Sequence, residues 1–597
     1  MRSLTGALSA LVLLAAPARA QAPFPEFDRY VSEAMALWKV PGLAVAIVKD
    51  DKVVYAKGYG VRTLGSAEPV DERTIFAIGS SSKAFTAAAV GMLVDAKKLN
   101  WDDAVTTHLP GFEVHEHYAS QHMTIRDILS HRSGLARGDL LWYASDMSRD
   151  EIVRRVRFLE PSWSFRSRFG YQNLMYLTAG QVLARATNMS WDDFVRTRIF
   201  EPLGMSNSNT SVKPLGGLAN VASPHAEIED QVRPIAYRDI DNIGPAGSIN
   251  SNVVDMAQWV RLHLGDGEHQ GKRLLSSAVV SEMQKPNTIV ALEGIAARLY
   301  PAANFQTYGL GWFLQDHRGR KLVHHGGNID GMSAMVAMMP SEKVGLVILT
   351  NMNGTSLRDA LMLRIMDAYV GVNDKDWSTD IHSAIAPLIA DQKTQQKRTE
   401  EKRVKNTRPT HALADYAGKY VDADSLYGET SVQLVNGSLR IARGPTFVGN
   451  LEHWHYNTFR ATWPDPMLGK SFVTFSHDHD GKINEMALQG LVEFTRMPDV
   501  VEAADVIALD EAVLRRFVGR YRADQPPLDL SIEWLDGRLR AVLPGQPAYV
   551  IASVTATSFR LTGIPVEITL GFEVEGEQVK SVTLTQQGQS FTLRRTN

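Results

Sequence analysis

Hydrophobic and polar positions change rhythm several times along this chain. Residues Gly42–Val48 and Val53–Gly60 form two runs rich in Val, Ala, Ile and Tyr, separated by the polar Lys49-Asp50-Asp51-Lys52, which predicts a β-hairpin. From about Ser80 to Ala96 the apolar positions recur at helical spacing, with Gly91 the one interruption after the start. Further helical stretches follow at Ile125–Ser130, Leu174–Ala186, Trp191–Arg198, Val253–Leu264 and Leu357–Tyr369, and strand-like runs return at Ser333–Met339 and Gly345–Thr350. Strands at both ends with helices between them predict an α/β (α+β) domain, a mixed antiparallel sheet closed by its two ends and carrying an inserted helical layer.

The pattern breaks from Asp391 to Arg408, where Gln, Lys, Arg, Glu and Thr leave almost nothing to bury, as in a solvated linker that can be helical. Beyond it, Trp, Tyr, Val and Thr alternate with polar residues between Asn-Gly, Asp-Gly and Glu-Gly turns, so the remainder reads as nearly all β. This region repeats itself. Leu413-Ala-Asp-Tyr416-Ala-Gly418-Lys-Tyr420 matches Leu514-Arg-Arg-Phe517-Val-Gly519-Arg-Tyr521, Asn436-Gly437 matches Asp536-Gly537, and the segments Phe494 to Arg496 and Phe591 to Arg594 close the two halves. Two related antiparallel β modules, small barrels or sandwiches, are the economical reading. The organisation expected is thus 1–20 leader, 21–375 main domain, 376–410 charged linker, and β modules over 411–500 and 508–597.

Composition narrows the chemistry. The 597 residues carry 63 basic and 66 acidic side chains, a net charge of −3, so no electrostatic reason for nucleic-acid binding exists. There is no cysteine, which removes disulfides, thiolate nucleophiles and Cys-based metal sites. At the N-terminus Arg2 precedes the apolar stretch Leu4–Ala16 and the small residues Ala18 and Ala20, the pattern of a secretory signal cleaved before Gln21. That implies a periplasmic or secreted protein with no membrane span after cleavage.

Nucleophilic chemistry must then come from an oxygen or amine. Ser80 and Lys83 stand three apart at the start of the first predicted helix, on one face. A serine there lies near free backbone N–H groups, and a buried lysine beside it can lose its proton and act as a base. Alone, the pair reads more simply as a Ser-rich cap followed by a solvated lysine. Two distant segments change this. Tyr171-Gln172-Asn173 presents a phenol and an amide before a helix, and His325-Gly326-Gly327-Asn328 puts two glycines where a strand can approach a ligand closely.

The order and spacing of these three elements resemble the serine β-lactamase-like family, the branch with class C β-lactamases, DD-peptidases and related esterases and peptidases. The resemblance covers Phe27 to Asp374. It extends to Thr124-Ile-Arg-Asp-Ile-Leu-Ser-His131-Arg-Ser-Gly134-Leu135, Glu201-Pro-Leu-Gly-Met205, Gly244-Pro-Ala-Gly-Ser248 with Asp255-Met256, and Tyr308-Gly-Leu-Gly-Trp312. The β modules are similar to the lipocalin-like C-terminal domains of some members. The resemblance implies a β-lactamase/transpeptidase-like fold in which Ser80 attacks a carbonyl, Lys83 takes its proton, Tyr171 relays it, and Asn173 holds the substrate. The N–H groups of Ser80 and Asn328, the residue after Gly327, would form the oxyanion hole. His325 stands where many relatives have lysine and offers less fixed charge to a substrate carboxylate.

Other signals carry less. Neither Gly-x-Ser-x-Gly nor His-Glu-x-x-His occurs. His115-Glu116-His117, His122 and His477-Asp478-His479 read as solvated histidines, so no metal and no cofactor is implied. The expectation is an exported serine hydrolase cleaving an amide or ester through an acyl-serine, foremost a peptidase on small or linear peptides. Its alternatives are a carboxylesterase or β-lactamase, or a penicillin-binding-like peptide sensor without turnover. Its partner is a small-molecule or peptide substrate. The β modules are a possible oligomerisation surface, and the sequence does not fix the oligomeric state.

Overall fold

The computed structural model describes residues 22–422, 426–489, 493–497, 506–525, 527–544, 546, 548–562, 564, 567–576, 578–586 and 588–596. The expected signal segment, residues 1–20, lies outside them. The chain divides into two units, Met1–Arg137 with Pro161–Asp391, and Gly138–Glu160 with Gln392–Asn597.

The first unit is built on one sheet. Its strands are β1 (Gly42–Lys49), β2 (Lys52–Gly60), β3 (Thr288–Val290), β4 (Gln306–Tyr308), β5 (Phe313–His317), β6 (Arg320–Ile329), β7 (Met332–Met339) and β8 (Val344–Thr350). They lie in the order β2-β1-β8-β7-β6-β5-β4-β3, with all seven pairings antiparallel. The helices that matter for the site are α1 (Phe27–Leu37), α2 (Ser82–Asp95), α3 (Ile125–Leu129), α4 (Asn173–Thr187), α5 (Val253–Leu264), α6 (Leu357–Tyr369) and α7 (Trp377–Glu401).

The central strands are apolar on both faces because both are covered. Leu43, Val45 and Ile47 of β1 join Leu346 and Ile348 of β8 under α1 and α6. On the other face Gly345 leaves room for Val260 of α5, which a Cβ there would meet at 2.5 Å. Helix α2 is buried almost all round, from Ser82 to Val90, so it reads as apolar rather than amphipathic. Its Phe85 stacks on Trp259 of α5 at 3.9 Å between centroids.

The charged stretch expected as linker is largely helical. Helix α7 starts at Trp377, and Trp377, Ser378 and Ile381 in its first turns are buried before the polar run begins. Asp367 fixes that start by accepting from Trp377 Nε1 at 2.7 Å, His317 Nε2 at 2.7 Å and Arg318 Nη2 at 3.0 Å.

The two β modules are closed eight-stranded barrels, Gly418–Arg496 and Gly519–Thr596, in which each strand pairs with the next in sequence. The sequence repeat is a repeat of bonds. Tyr420 Oη donates to the Tyr416 carbonyl at 2.8 Å, and Tyr521 Oη to the Phe517 carbonyl at the same distance. Arg496 closes the first barrel by donating to the Ala417 carbonyl (2.7 Å), as Arg595 does to Val518 (2.6 Å). Both pass over a glycine, Gly418 or Gly519, where a Cβ would meet the guanidinium at 2.8 or 2.9 Å. The end of the second repeat is therefore Leu593 to Arg595, two residues beyond Phe591 and one beyond Arg594 in the match expected from sequence. Strand alternation sends Leu593 inward as it does Phe494, and Arg595, like Arg496, pairs with the repeated tyrosine.

His263 on α5 generates a prediction. It is enclosed edge-on by Trp259 and Trp312, neither ring nitrogen has a partner among the described residues, and burial pushes its pKa down to about 3. An unfolded histidine titrates near 6.5. The unfolded chain thus takes up the proton first, and this contribution to stability is complete above about pH 6.5 and is lost as pH falls towards 3. His263→Phe should reduce the loss of stability between pH 7 and pH 5 by about 2 kcal/mol, read from urea unfolding followed by tryptophan fluorescence. An unchanged pH dependence would refute the assignment.

Candidate active site

Ser80 sits in a 3₁₀ turn, Gly79–Ser81, that runs directly into α2. The turn presses against the edge of β6. A Cβ at Gly327 would collide with the Ile78 carbonyl oxygen and stand 3.1 Å from the Ser80 nitrogen, and one at Gly79, where φ is +51°, would lie 2.7 Å from the Asn328 nitrogen. Only two facing glycines let these backbones touch. The edge is open because β5 pairs with β6 only as far as His324, opposite Phe313. Ser81 Oγ donates to the His325 carbonyl at 3.1 Å and fastens the turn to the strand, while Arg358 of α6 donates to the Gly327 carbonyl. Ser80 and Tyr171 are half-buried and Asn328 is exposed, so the cleft is reachable.

Lys83 has none of its surface exposed. Its Nζ lies 3.0 Å from Ser80 Oγ, 2.7 Å from Asn173 Oδ1 and 2.8 Å from the Ala246 carbonyl. The last two oxygens only accept. An amine giving them N–H groups is held 3.0 Å from Ser80 Oγ, a distance at which a proton can move between Oγ and Nζ. The Ala246 carbonyl is held in place through its neighbour, since Thr86 Oγ1 donates to the Pro245 carbonyl at 2.6 Å and itself accepts from Trp191 Nε1 at 2.9 Å.

Tyr171 and Asn173 flank the N-cap of α4, Gln172, whose Oε1 accepts from Leu174 N at 3.1 Å and whose Nε2 donates to the Ala136 carbonyl. The Tyr171 ring lies between two cations, Lys83 Nζ at 4.8 Å and the Arg137 guanidinium at 5.4 Å from its centroid. The loops entering and leaving this region are clamped by Asp127 of α3, fully buried, which accepts from Arg132 Nε at 2.5 Å and Arg166 Nη2 at 2.6 Å and caps its own helix with Thr124. Burial opposes ionisation of Asp127, but the Arg166 bond, the Thr124 N–H and the Arg132 charge keep its carboxyl below the usual range.

The side chain of His325 does not offer a nitrogen to the cleft. It is buried, with Nδ1 2.7 Å from the Gly326 carbonyl and Nε2 3.0 Å from Tyr308 Oη. A carbonyl only accepts, so Nδ1 carries the proton and Nε2 receives Tyr308. Burial, reinforced by the Lys83 charge, holds the ring well below the ordinary histidine value, and it is neutral.

Sequence reasoning assigned no role to His131, Tyr176 or Tyr308, although two of them lie in segments that it singled out. His131 ends the turn after α3 at φ +57° and is fully buried. Its Nδ1 accepts the Gln172 N–H at 3.0 Å, which puts the proton on Nε2, and its ring lies 4.4 Å from Tyr171 and 4.6 Å from Tyr308. Burial first, then Lys83, keeps it neutral. The signal was a histidine and an aromatic inside otherwise apolar segments, but nothing in their spacing told that they meet.

The Beta-lactamase family model matches residues 27–369, and a model described as "Domain of unknown function (DUF3471)" matches 402–501. The unguisins hydrolase of Aspergillus violaceofuscus is 30% identical over 398 residues, 61% of this chain and 68% of its own. Penicillin-binding protein 4 of Amycolatopsis lactamdurans is 30% identical over 322 residues, 52% of this chain and 81% of its own. Among solved structures, the octameric penicillin-binding protein homologue from Pyrococcus abyssi superposes with a TM-score of 0.52 at 21% identity, over 78% of this chain and 98% of that one, a likeness of fold.

His131→Ala should leave the Gln172 N–H buried without an acceptor and lower stability by about 2 kcal/mol. His131→Asn, which supplies an oxygen and tolerates positive φ, should recover part of it. Thermal unfolding of both variants checks this, and equal melting of His131→Ala and the parent would refute it.

Proposed function

The chain belongs to the Beta-lactamase family of serine hydrolases, and on that premise we propose that it is an exported hydrolase that opens an amide or ester bond through an acyl-Ser80 intermediate, with linear or small peptides as its substrate class. The observation that carries this reading is Lys83 Nζ standing 3.0 Å from Ser80 Oγ, with Asn173 Oδ1 and the Ala246 carbonyl holding the amine there. Lys83 takes the Ser80 proton as Oγ attacks the carbonyl carbon. Tyr171, with Lys83 Nζ 4.8 Å and the Arg137 guanidinium 5.4 Å from its ring centroid, relays that proton from Lys83 to the leaving amine or alcohol, and in deacylation passes a proton of the attacking water back through Lys83 to Ser80 Oγ. The N–H groups of Ser80 and Asn328, brought together by the two glycines, stabilise the oxyanion. Asn173 and the open edge of β6 hold the substrate.

The neutral, fully engaged His325 supports a substrate that is not gripped by a free carboxylate at that position, which favours peptide or ester bonds over β-lactams. Similarity to a protein named a hydrolase supports turnover rather than silent binding. Similarity to a penicillin-binding protein supports a second reading, acylation of Ser80 by β-lactams. The leader pattern at Arg2–Ala20 supports export, and the N-terminus of the protein recovered outside the cytoplasm should then be Gln21.

A fluorophosphonate probe should label the protein at Ser80, and Ser80→Ala should lose both labelling and hydrolysis, by on the order of 10⁴-fold or more in kcat. Retention of hydrolysis in Ser80→Ala would sink the proposal. A panel of L- and D-peptides, p-nitrophenyl esters and cephalosporins ranks the substrate classes. Gly327→Ala should cut kcat by roughly 10²–10³-fold by parting the oxyanion donors, while KM for the same substrate changes little.

A further inference from the structure

The second unit contains a cavity of about 990 Å³ that hydrolysis does not use. Its walls come from the segment Gly138–Glu160 and from both barrels. The segment is stitched to the first barrel by Arg443 Nη2 donating to the Leu140 carbonyl (3.2 Å) and Thr446 Oγ1 to the Ala144 carbonyl (2.7 Å). Much of the lining is apolar, from Met147, Val421, Tyr549, Val550 and Ile564. A volume of this size suits a small organic ligand rather than ordered water alone.

The charges on the wall are almost all accounted for. Glu151 pairs with Arg155, Asp536 with Arg540 at 2.8 Å, and Glu429 with Lys419 at 3.1 Å. Asp422 accepts the Leu426 N–H at 2.6 Å and the Tyr427 N–H at 3.2 Å, and Arg496 closes its barrel. Asp146 and Arg538 are exposed at the rim. Arg443 is the exception. Its residue is 6% exposed, its guanidinium lies 5.0 Å from the Phe447 centroid and 5.6 Å from that of Tyr427, and its Nη1 is buried without an acceptor among the described residues. No carboxylate of those residues stands within 4.0 Å of it, and burial pulls its pKa below the ordinary arginine value. Asp422 acts on Arg443 only at longer range, and a buried guanidinium without a direct ion pair is costly, a cost that an anion brought by a ligand relieves.

We propose that this cavity is a binding site for an amphipathic carboxylate, with the head group on Arg443 Nη1 and the apolar body along Met147, Val421, Tyr549 and Val550. The occupant carries one negative charge, because Arg443 is the buried guanidinium of the wall with no carboxylate of the described residues within 4.0 Å, whereas Arg540, whose Nε also lacks a partner, is paired with Asp536, and it carries an apolar chain, because much of the remaining wall is apolar. The site is separate from Ser80 chemistry and stands whether or not the hydrolase reading does.

Calorimetric titration of the full-length protein with dodecanoate, dodecanol and dodecyltrimethylammonium tests it. Dodecanoate should bind at one site per chain, at least about tenfold more tightly than the alcohol, with the cation weakest. Arg443→Gln should weaken dodecanoate at least about tenfold and leave dodecanol unchanged. Ala548→Trp, which fills the cavity and keeps the arginine, should abolish both, so the test survives if Arg443→Gln does not fold. Equal affinity for the three probes, an unaltered response in Ala548→Trp, or no saturable binding up to about 1 mM overturns the proposal.

Discussion

Full burial of the Lys83 amine is the constraint around which the catalytic unit is arranged. An amine taken out of water must find oxygen acceptors, and here they come from three separate pieces of chain: the turn before α2, the first residue of α4, and the loop at Ala246. Each acceptor has its own support. Thr86 and Trp191 secure the loop, Gln172 caps α4 and bonds back to Ala136, and Gly79 against Gly327 lays the serine turn on the strand edge. Satisfying one side chain thus brings Ser80 Oγ, Asn173 Oδ1 and the Ala246 carbonyl each within 3.0 Å of Lys83 Nζ.

Behind that layer the polar groups are kept neutral or paired. His131 and His325 are neutral because burial and the adjacent lysine charge both disfavour a second cation. Tyr308 joins them, lying against the His131 ring and donating to His325, and His131 fixes the backbone entering α4. The result is a site in which the buried Lys83 amine stands beside the serine, with neutral rings behind it. A lysine in place of His325 would put a second buried cation next to it, and the Tyr308 hydroxyl would lose its acceptor.

The C-terminal barrels follow a different economy. Each is closed by an arginine reaching over a glycine to the start of its own first strand and by a tyrosine bonded four residues back, and these contacts are the repeated residues themselves. Their interiors are filled by inward-facing aromatic and aliphatic side chains such as Phe494, Phe559 and Leu593. A cavity of about 990 Å³ lies where the inserted segment meets the barrels.

The sequence by itself determined the local elements and the catalytic pair. Helix α5 and helix α6 run over the residues their apolar periodicity marked, the β1–β2 hairpin falls on its polar turn, and Ser80 and Lys83 share a face because three residues make most of a helical turn. The repeat likewise foretold two alike β modules, but the place of Phe494 in the first is taken in the second by Leu593, two residues beyond the aromatic Phe591. Tertiary structure alone decided what depends on distance through space. It brought His131 to Tyr171 and Tyr308, engaged the His325 imidazole with Tyr308, gave Lys83 a carbonyl from 163 residues away in sequence, and left Arg443 Nη1 without an acceptor among the described residues. Periodicity reports which face of an element is buried. It carries no information about which other element covers that face, and pKa, tautomer and open donors are all set there.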